Sequence, residues 1–177
     1  MKEQWCLCPD VPRVEAHTEV LVLRHGFESH KSTNTTRIAA LALPSLRVVE
    51  YDPGAPPDVE ALVADAAPAW LLYPGSGAEP VIPEGQPRTL VVLDGTWTQT
   101  RKMAHKHPAL LRLPRLSLPP GTLPVRRLRE APSADARSTL EAIADALGVI
   151  EGPGVSAPLH ALHATMVERV LAARGMR

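Results

Sequence analysis

The sequence predicts a single α/β domain with a largely parallel sheet. Short aliphatic runs alternate with segments of helical pattern along the whole chain, which is typical of strands and their crossover helices. The run at 90–93 is the clearest, because four consecutive aliphatic residues closed by Asp94 and Gly95 indicate a strand buried on both faces. The 177 residues fit one domain with a full core, since domains hold ~100–200 residues.

Each element has its own local signal. Valine- and leucine-rich runs predict strands, whereas Pro44, Pro108 and Gly148 are predicted to end helices and Asp58 to cap one. Residues 1–17 are polar and lack periodicity, so they are predicted to form an irregular arm ahead of a domain at 18–177. The predicted strands are 19–23, 47–51, 69–73 and 90–93, with another within 109–118; the predicted helices are 38–43, 59–67, 97–107, 137–147 and a closing amphipathic helix at 158–174.

The central strand runs into the stretch Asp94-Gly95-Thr96-Trp97. Ligands of open α/β folds bind at the carboxyl ends of the strands, so this strand-to-helix corner is the candidate functional centre. Asp94 attaches a charge directly to an apolar strand, Gly95 permits close approach of backbone or ligand, and Thr96 is a predicted N-cap. Core packing alone does not require this combination.

The charges are balanced in number but not in position. Nineteen basic and nineteen acidic residues cancel, yet no acidic residue occurs between Asp94 and Glu130. The acidic residues are concentrated in the preceding third of the chain. This distribution predicts one basic side, as expected of a protein that binds phosphate backbones, although a solvated helix face with scattered surface arginines is the simpler alternative. The basic residues of this stretch are Arg101, Lys102, Lys106, Arg112, Arg115, Arg126, Arg127 and Arg129.

No metal site is predicted. Cys6 and Cys8 are too close for an ordinary disulfide, and two thiolates do not complete a tetrahedral site even if His17 adds a third ligand. His105 and His107 point about 200° apart on a helix and cannot share a metal. The other histidines are interpreted as structural: His25 and His30 in a loop, and His160 and His163 on the surface of the last helix.

The sequence gives no sign of a membrane partner or of a protein partner. No apolar run approaches the ~20 residues of a membrane span. The N-terminus also lacks the basic-then-apolar layout of a signal peptide. We therefore expect a cytoplasmic protein.

The corner and several other segments carry a family resemblance. Asp94-Gly95-Thr96-Trp97, followed by Arg101-Lys102, resembles the signature of the DTW-domain proteins, which are tRNA-uridine aminocarboxypropyltransferases. Other parts of that pattern follow in the expected order, and together they cover roughly residue 18 to the C-terminus. These parts are Ser32-Thr33-Asn34-Thr35, Leu72-Tyr73-Pro74, the stretch from Leu113 to Leu118, Arg127-Leu128-Arg129, and the stretch from Ser138 to Ala142.

The resemblance implies a fold and a reaction. The fold is a SPOUT-like domain in which the chain near the cofactor threads a C-terminal trefoil knot. The reaction transfers the 3-amino-3-carboxypropyl group of S-adenosylmethionine to N3 of a uridine in tRNA and releases methylthioadenosine. Members of the family often carry a second cysteine pair upstream and bind zinc with the whole set. Here only Cys6-Leu7-Cys8 is present, so no metal is assigned.

The resemblance also implies roles for particular residues. The implied catalytic residues are Asp94, Thr96 and Trp97. The implied cofactor-binding residues are Tyr73, Pro74, Gly75, Asp94, Gly95, Leu116, Ser117, Leu118, Ser138, Thr139 and Glu141. The implied RNA-binding residues are Asn34, Arg37, Arg101, Lys102, Arg115, Arg126, Arg127 and Arg129.

Several of these roles have alternatives. Asp94 is the proton acceptor, an anchor for the amino group of the cofactor, or a structural cap. Trp97 stacks on the uracil, forms a wall of the cofactor pocket, or packs in the core. Ser138 and Glu141 have capping-box spacing as well as a place beside the pocket. The competing functions are an RNA methyltransferase of the same knotted class and a non-catalytic RNA-binding module.

Overall fold

The computed structural model describes residues 6–29, 34–74, 80–119 and 137–175. Within them five strands form one sheet in the order β2-β1-β4-β3-β5, and all four strand pairings are parallel. The prediction of an α/β fold with a largely parallel sheet is therefore confirmed. The strands are β1 (Glu19–His25), β2 (Leu46–Tyr51), β3 (Ala69–Leu72), β4 (Thr89–Asp94) and β5 (Arg115–Leu116).

Helices cover both faces of this sheet. Side chains alternate along a strand, so Val20 and Val22 of β1 face one helical layer and Leu21 and Leu23 face the other. The first layer holds α2, α6 and α7, and the second holds α3, α4 and α5. The helices are α1 (Gly26–Ser29), α2 (Thr35–Ala42), α3 (Val59–Asp65), α4 (Trp97–Lys106), α5 (Pro108–Arg112), α6 (Thr139–Glu151) and α7 (Pro153–Ala173).

Side-chain caps fix where four of the helices begin. Asn34, Asp58, Thr96 and Ser138 each accept a hydrogen bond from a backbone amide of the first turn. The caps predicted at Asp58 and Thr96 are confirmed. Helix α4 begins shortly after β4. The first turns of α2 and α6 lie beside the end of the same strand, because Asn34 and Thr139 both donate to Asp94. The two turns also contact each other, since Leu140 N donates to Thr35 Oγ1.

Two predicted boundaries were wrong. Gly148 lies inside α6 and does not end it. A Cβ atom there would lie 3.0 Å from the Ser156 side chain, so this glycine permits the close approach of α7. The helix ends at Gly152, whose φ of 95° suits glycine. Helix α7 begins at Pro153 and continues through Pro158. The strand predicted within 109–118 is confirmed as β5, which follows the helical turns of α5.

The end of the N-terminal segment is packed on the domain. Val14 is buried in the core, and its amide donates to Ala42 O at 2.8 Å. Arg169 of α7 donates to Cys6 O and pairs with Asp10. The boundary at residues 17 and 18 stays a prediction. In the part of the chain that the structure describes, no helix has both the length and the apolar character needed to cross a bilayer.

Candidate active site at the carboxyl edge of the sheet

Asp94 is a buried carboxylate held by three neutral donors. It ends β4 and is only 7% exposed. Thr36 Oγ1 and Asn34 Nδ2 donate to Asp94 Oδ2 at 2.7 and 3.3 Å, and Thr139 Oγ1 donates to Asp94 Oδ1 at 2.6 Å. Since Asn34 and Thr36 lie at the start of α2 and Thr139 at the start of α6, one carboxylate links the central strand to two helices.

Two of the three donors are themselves held in place. Asn34 Oδ1 accepts from the Arg37 amide at 3.2 Å, while its Nδ2 also donates to Glu28 O at 3.0 Å. Thr36 is fully buried. The amide of Asn34 is directed toward Asp94 and the backbone of Glu28, and its predicted contact with RNA stays a prediction. Thr36 was missed by the sequence analysis, although its hydroxyl at the start of an apolar helix was a visible signal.

The three hydrogen bonds use most, but not all, of the acceptor positions of the Asp94 carboxylate. A carboxylate offers about four lone-pair positions, and three are taken by these hydrogen bonds. No cation takes part in them. Asp94 is therefore a structural hub with one acceptor position that these bonds leave unused, and both the proton-acceptor role and the anchor role stay predictions.

The residues after Asp94 turn the chain sharply into α4. Thr96 N donates to Gln99 Oε1 at 2.7 Å and Thr96 Oγ1 accepts from Gln99 N at 3.4 Å, which completes a capping box. A Cβ atom on Gly95 would lie 3.2 Å from the Gln99 side chain and 3.4 Å from His25 Cβ. The glycine is thus required by close packing of the turn. Trp97 emerges 54% exposed.

Trp97 contacts the ring of Tyr73, which also has a cation over its face. The Trp97 ring lies 5.6 Å from that of Tyr73, at an interplanar angle of 34°, and the Arg115 guanidinium lies 5.2 Å from the centroid of Tyr73. Tyr73 follows β3, Trp97 follows β4, and Arg115 begins β5. The sequence analysis assigned these three residues to different roles, but the strand order brings them together at one edge.

The loops predicted to bind the cofactor are neighbours in the structure. Tyr73 N donates to Leu116 O at 3.0 Å. Ser117, 3% exposed, accepts from Val81 N through its side chain at 2.8 Å and also pairs with Val81 through the backbone. Pro74 is exposed, Leu118 is half-buried against the core, and Gly75 lies outside the described residues.

The start of α6 carries a second capping box. Ser138 N donates to Glu141 Oε2 at 2.8 Å and Ser138 Oγ accepts from Glu141 N at 3.2 Å. His163 Nε2 lies 3.2 Å from Ser138 Oγ and 3.7 Å from Glu141 Oε2, and its side chain is only 12% exposed. The prediction of a surface position was therefore wrong for His163. His160 does lie at the surface, paired with Asp145 at 2.9 Å.

The structure describes some of the cations that were predicted to bind RNA. Arg37 on α2 and Arg101 and Lys102 on α4 are exposed, and Arg115 is partly buried against Tyr73. Arg126, Arg127 and Arg129 lie outside the described residues. Among the residues that the structure places, no three His, Cys, Asp or Glu side chains converge as a metal site would require.

Together these features define a parallel α/β protein with a candidate ligand site at the carboxyl edge of its sheet. The family model of the DTW domain matches residues 1–171, and the chain belongs to the DTW-domain family. The chain is 30% identical over 157 residues to a tRNA-uridine aminocarboxypropyltransferase 2 of Drosophila melanogaster, covering 82% of this chain and 62% of that protein. Proteins of the same name from Mus musculus and Macaca fascicularis are 30% and 28% identical, each covering 82% of this chain.

The chain spans 53–62% of the length of these curated relatives. No solved structure gives a significant match to it.

Proposed function

We propose that this protein transfers the 3-amino-3-carboxypropyl group of S-adenosylmethionine to N3 of a uridine in tRNA. The observation that carries the proposal is the pairing, at one sheet edge, of the buried Asp94 carboxylate with the exposed stack of Trp97, Tyr73 and Arg115. The names of the relatives support the same activity.

The residues present fit S-adenosylmethionine. The rings of Trp97 and Tyr73 offer apolar faces of the kind on which adenine stacks, and Asp94 keeps one acceptor position of the kind that an ammonium group takes. The N-termini of α2, α4 and α6 carry partial positive charge near the same edge, which suits a carboxylate. When bound, S-adenosylmethionine supplies the aminocarboxypropyl group, and methylthioadenosine is the by-product.

The chain's own residues then have three tasks. Asp94 accepts either the N3 proton of the uridine or a hydrogen bond from the amino group of the cofactor. Trp97 provides a stacking face, since RNA recognition uses unpaired bases stacked on aromatic rings. N3 lies on the pairing edge of uracil, so the target uridine must be unpaired or flipped out.

The basic side of the molecule is the proposed tRNA interface. Arg37, Arg101, Lys102 and Arg115 hold phosphates, with Arg126, Arg127 and Arg129 as further candidates outside the described residues. Replacing Arg126 and Arg127 together by alanine should weaken tRNA binding and flatten its salt dependence, because counterion release scales with the phosphates neutralised. We expect a protein that acts on tRNA to work in the cytoplasm.

The SPOUT-like class and a trefoil knot in the C-terminal part complete the proposal. They are supported by the family membership and by the parallel sheet. The test is an experimental structure in which the path of the chain from β5 to α6 is traced. A path that does not thread through a loop of the sheet would contradict the knot.

The activity is tested by incubating the protein with tRNA and labelled S-adenosylmethionine, followed by mass spectrometry of the nucleosides. Aminocarboxypropyl-uridine together with methylthioadenosine is the expected result. Methyluridine with S-adenosylhomocysteine would identify an RNA methyltransferase instead. Binding of tRNA with no product at all would leave only an RNA-binding module.

A further inference from the structure

A cavity of about 360 Å³ lies on the β1 and β2 side of α4, apart from the stack of Trp97, Tyr73 and Arg115. It is bounded by the carboxyl ends of β1 and β2, where His25 and Tyr51 face the second helical layer, and by the face of α4 that carries Lys102 and Lys106. The Trp97 stack involves β3 and β5 on the opposite side of β4. The cavity is therefore a separate candidate binding site.

The floor of the cavity is apolar and formed by buried side chains. Met103 and Tyr51 are 1% and 2% exposed, and burial raises the pKa of the Tyr51 hydroxyl, which stays neutral. That hydroxyl lies 3.0 Å from His107 Nε2, with Glu60 behind the same imidazole at 3.8 Å. Because the Tyr51 hydroxyl is paired with His107 on the side away from the cavity, the aromatic ring of Tyr51 faces the cavity.

The rim of the cavity combines an exposed ring with two cations. Phe27 is 74% exposed, the highest value among the large exposed apolar side chains of the described residues, and its ring lies 5.3 Å from that of His25 at an angle of 30°. Lys106 Nζ donates to Pro53 O at 2.9 Å, which holds the ammonium at the rim with further donors to spare. Lys102 is also exposed, and none of the described lining residues is acidic.

We propose that this cavity binds one unpaired nucleotide of the tRNA, next to the target uridine. The base lies against the ring of Phe27, and Lys102 and Lys106 hold the adjoining phosphates. The proposal rests on the tRNA substrate of the proposed function and adds a second base-binding subsite to it.

Three features favour a nucleotide over other occupants. Aromatic rings bordered by lysines form a stacking platform with charge complementary to phosphate, the combination by which single-stranded nucleic acid is held. The volume is near the lower end of the ~300–1,000 Å³ range of ligand pockets, so it suits one base and not a helix. Trp97 and Lys102 are separated by about 7.5 Å along the axis of α4, a span that neighbouring nucleotides can bridge.

The test is a double-substitution cycle between Phe27 and the RNA. Binding is measured by fluorescence anisotropy for a set of tRNAs, each with one abasic nucleotide at an unpaired loop position. One abasic position should weaken binding to the unaltered protein about 5- to 150-fold, the effect of losing one base–aromatic stack. Phe27→Ala should weaken binding of intact tRNA similarly, and the two changes together should weaken it no further.

Matched variants separate this subsite from general effects. Leu41→Ala removes another exposed apolar side chain, 61% exposed on α2, and should leave affinity unchanged. Phe27→Trp should retain affinity because it keeps a ring. Lys106→Ala should lower the slope of log affinity against log salt by about one, whereas Arg47→Ala, an exposed cation of β2, should not.

The outcomes distinguish the subsite from the proposed function. If Phe27→Ala behaves like Leu41→Ala, or if its effect multiplies with that of every abasic site, the subsite is overturned while product formation by the unaltered protein still supports the function. A coupled loss without any aminocarboxypropyl-uridine would keep the subsite and reject the function. Adenosine or uridine monophosphate binding as tightly as tRNA, and lost in Phe27→Ala, would assign the cavity to a free nucleotide and overturn the proposal.

Discussion

Replacing Asp94 separates the structural role of this residue from its chemical one. Asp94→Ala removes two short hydrogen bonds to a carboxylate, at 2.6 and 2.7 Å, and a longer one at 3.3 Å. Bonds to charged groups contribute about 1.5–3 kcal/mol each, and the buried donors of Thr36 and Thr139 would lose their partner. Because such networks are not additive, we expect a total loss of about 3–5 kcal/mol in the free energy of unfolding.

Asp94→Asn should cost far less. Its carbonyl oxygen can face Thr36 and Asn34, and its amide can donate to the Thr139 hydroxyl, which rotates to accept. The number of hydrogen bonds is kept while the charge is lost, so we expect a loss of about 1–2 kcal/mol. Urea unfolding followed by circular dichroism measures both variants, with Asp65→Ala on the exposed face of α3 as the control.

The same pair of variants tests the chemistry. If Asp94 takes the N3 proton, Asp94→Asn should lower the rate of product formation by ~10²–10⁴-fold although the protein remains folded. If Asp94 only orders the site, that variant should keep a rate within about tenfold of the original, since the hydrogen bonds survive. If the free energy of unfolding of Asp94→Ala lies within about 1 kcal/mol of the original, as is expected for Asp65→Ala, the structural role inferred for Asp94 from these distances is refuted.

Three further changes have expected outcomes. Trp97→Ala should change the free energy of unfolding by less than about 1 kcal/mol, because the ring is 54% exposed, yet weaken tRNA or cofactor binding at least tenfold in anisotropy or calorimetry. Gly95→Ala should destabilise by about 1 kcal/mol in urea by pushing Gln99 out of its capping box, whereas Gly154→Ala, with open space around it, should be neutral or stabilising. Burial opposes ionisation of Glu151, but hydrogen bonds from the backbone amides of His17 and Thr18, together with the Thr18 side chain and the charge of His17, outweigh it and lower its pKa. A carboxyl group with a lowered pKa stabilises the folded protein at pH values above its unfolded pKa of about 4.3, and this stabilisation is lost as the pH falls through the folded pKa. The destabilisation caused by Glu151→Gln should therefore be largest at neutral pH and vanish in acid.

The sequence was informative where structure depends on near neighbours. Caps at Asp58 and Thr96 and the strand at 90–93 follow from residues within a few positions, and all three were predicted. The start of α7 was placed at Pro158 because proline usually marks a first turn, whereas here a second proline, Pro153, takes that position.

Contacts between distant residues required the strand order, which no local pattern gives. Thr36 and Thr139 are 58 and 45 positions from Asp94, so their shared carboxylate could not be read from spacing. The cavity could not be predicted from local patterns either. It depends on the adjacency of β1 and β2, which brings His25 beside Tyr51.

His163 was a different case, because its signal was present. Leu159, Leu162, Met166 and Val167 are buried on α7, and His163 lies four positions after the first of them, on the same helical face. A core-facing histidine beside Ser138 was therefore available from the periodicity, and polarity alone led to the surface assignment.

The geometry explains why the Asp-Gly-Thr-Trp stretch behaves as one unit. Asp94 faces α2 and α6, Gly95 leaves room for Gln99, and Thr96 caps α4, so each of these three residues satisfies a structural requirement. Trp97 does not, because more than half of its side chain is exposed and its ring contact is with Tyr73 at the same surface. An exposed indole at this corner is suited to stacking on a ring from outside. The first three residues therefore position the fourth at the surface, and this placement is what supports the proposed binding role of Trp97.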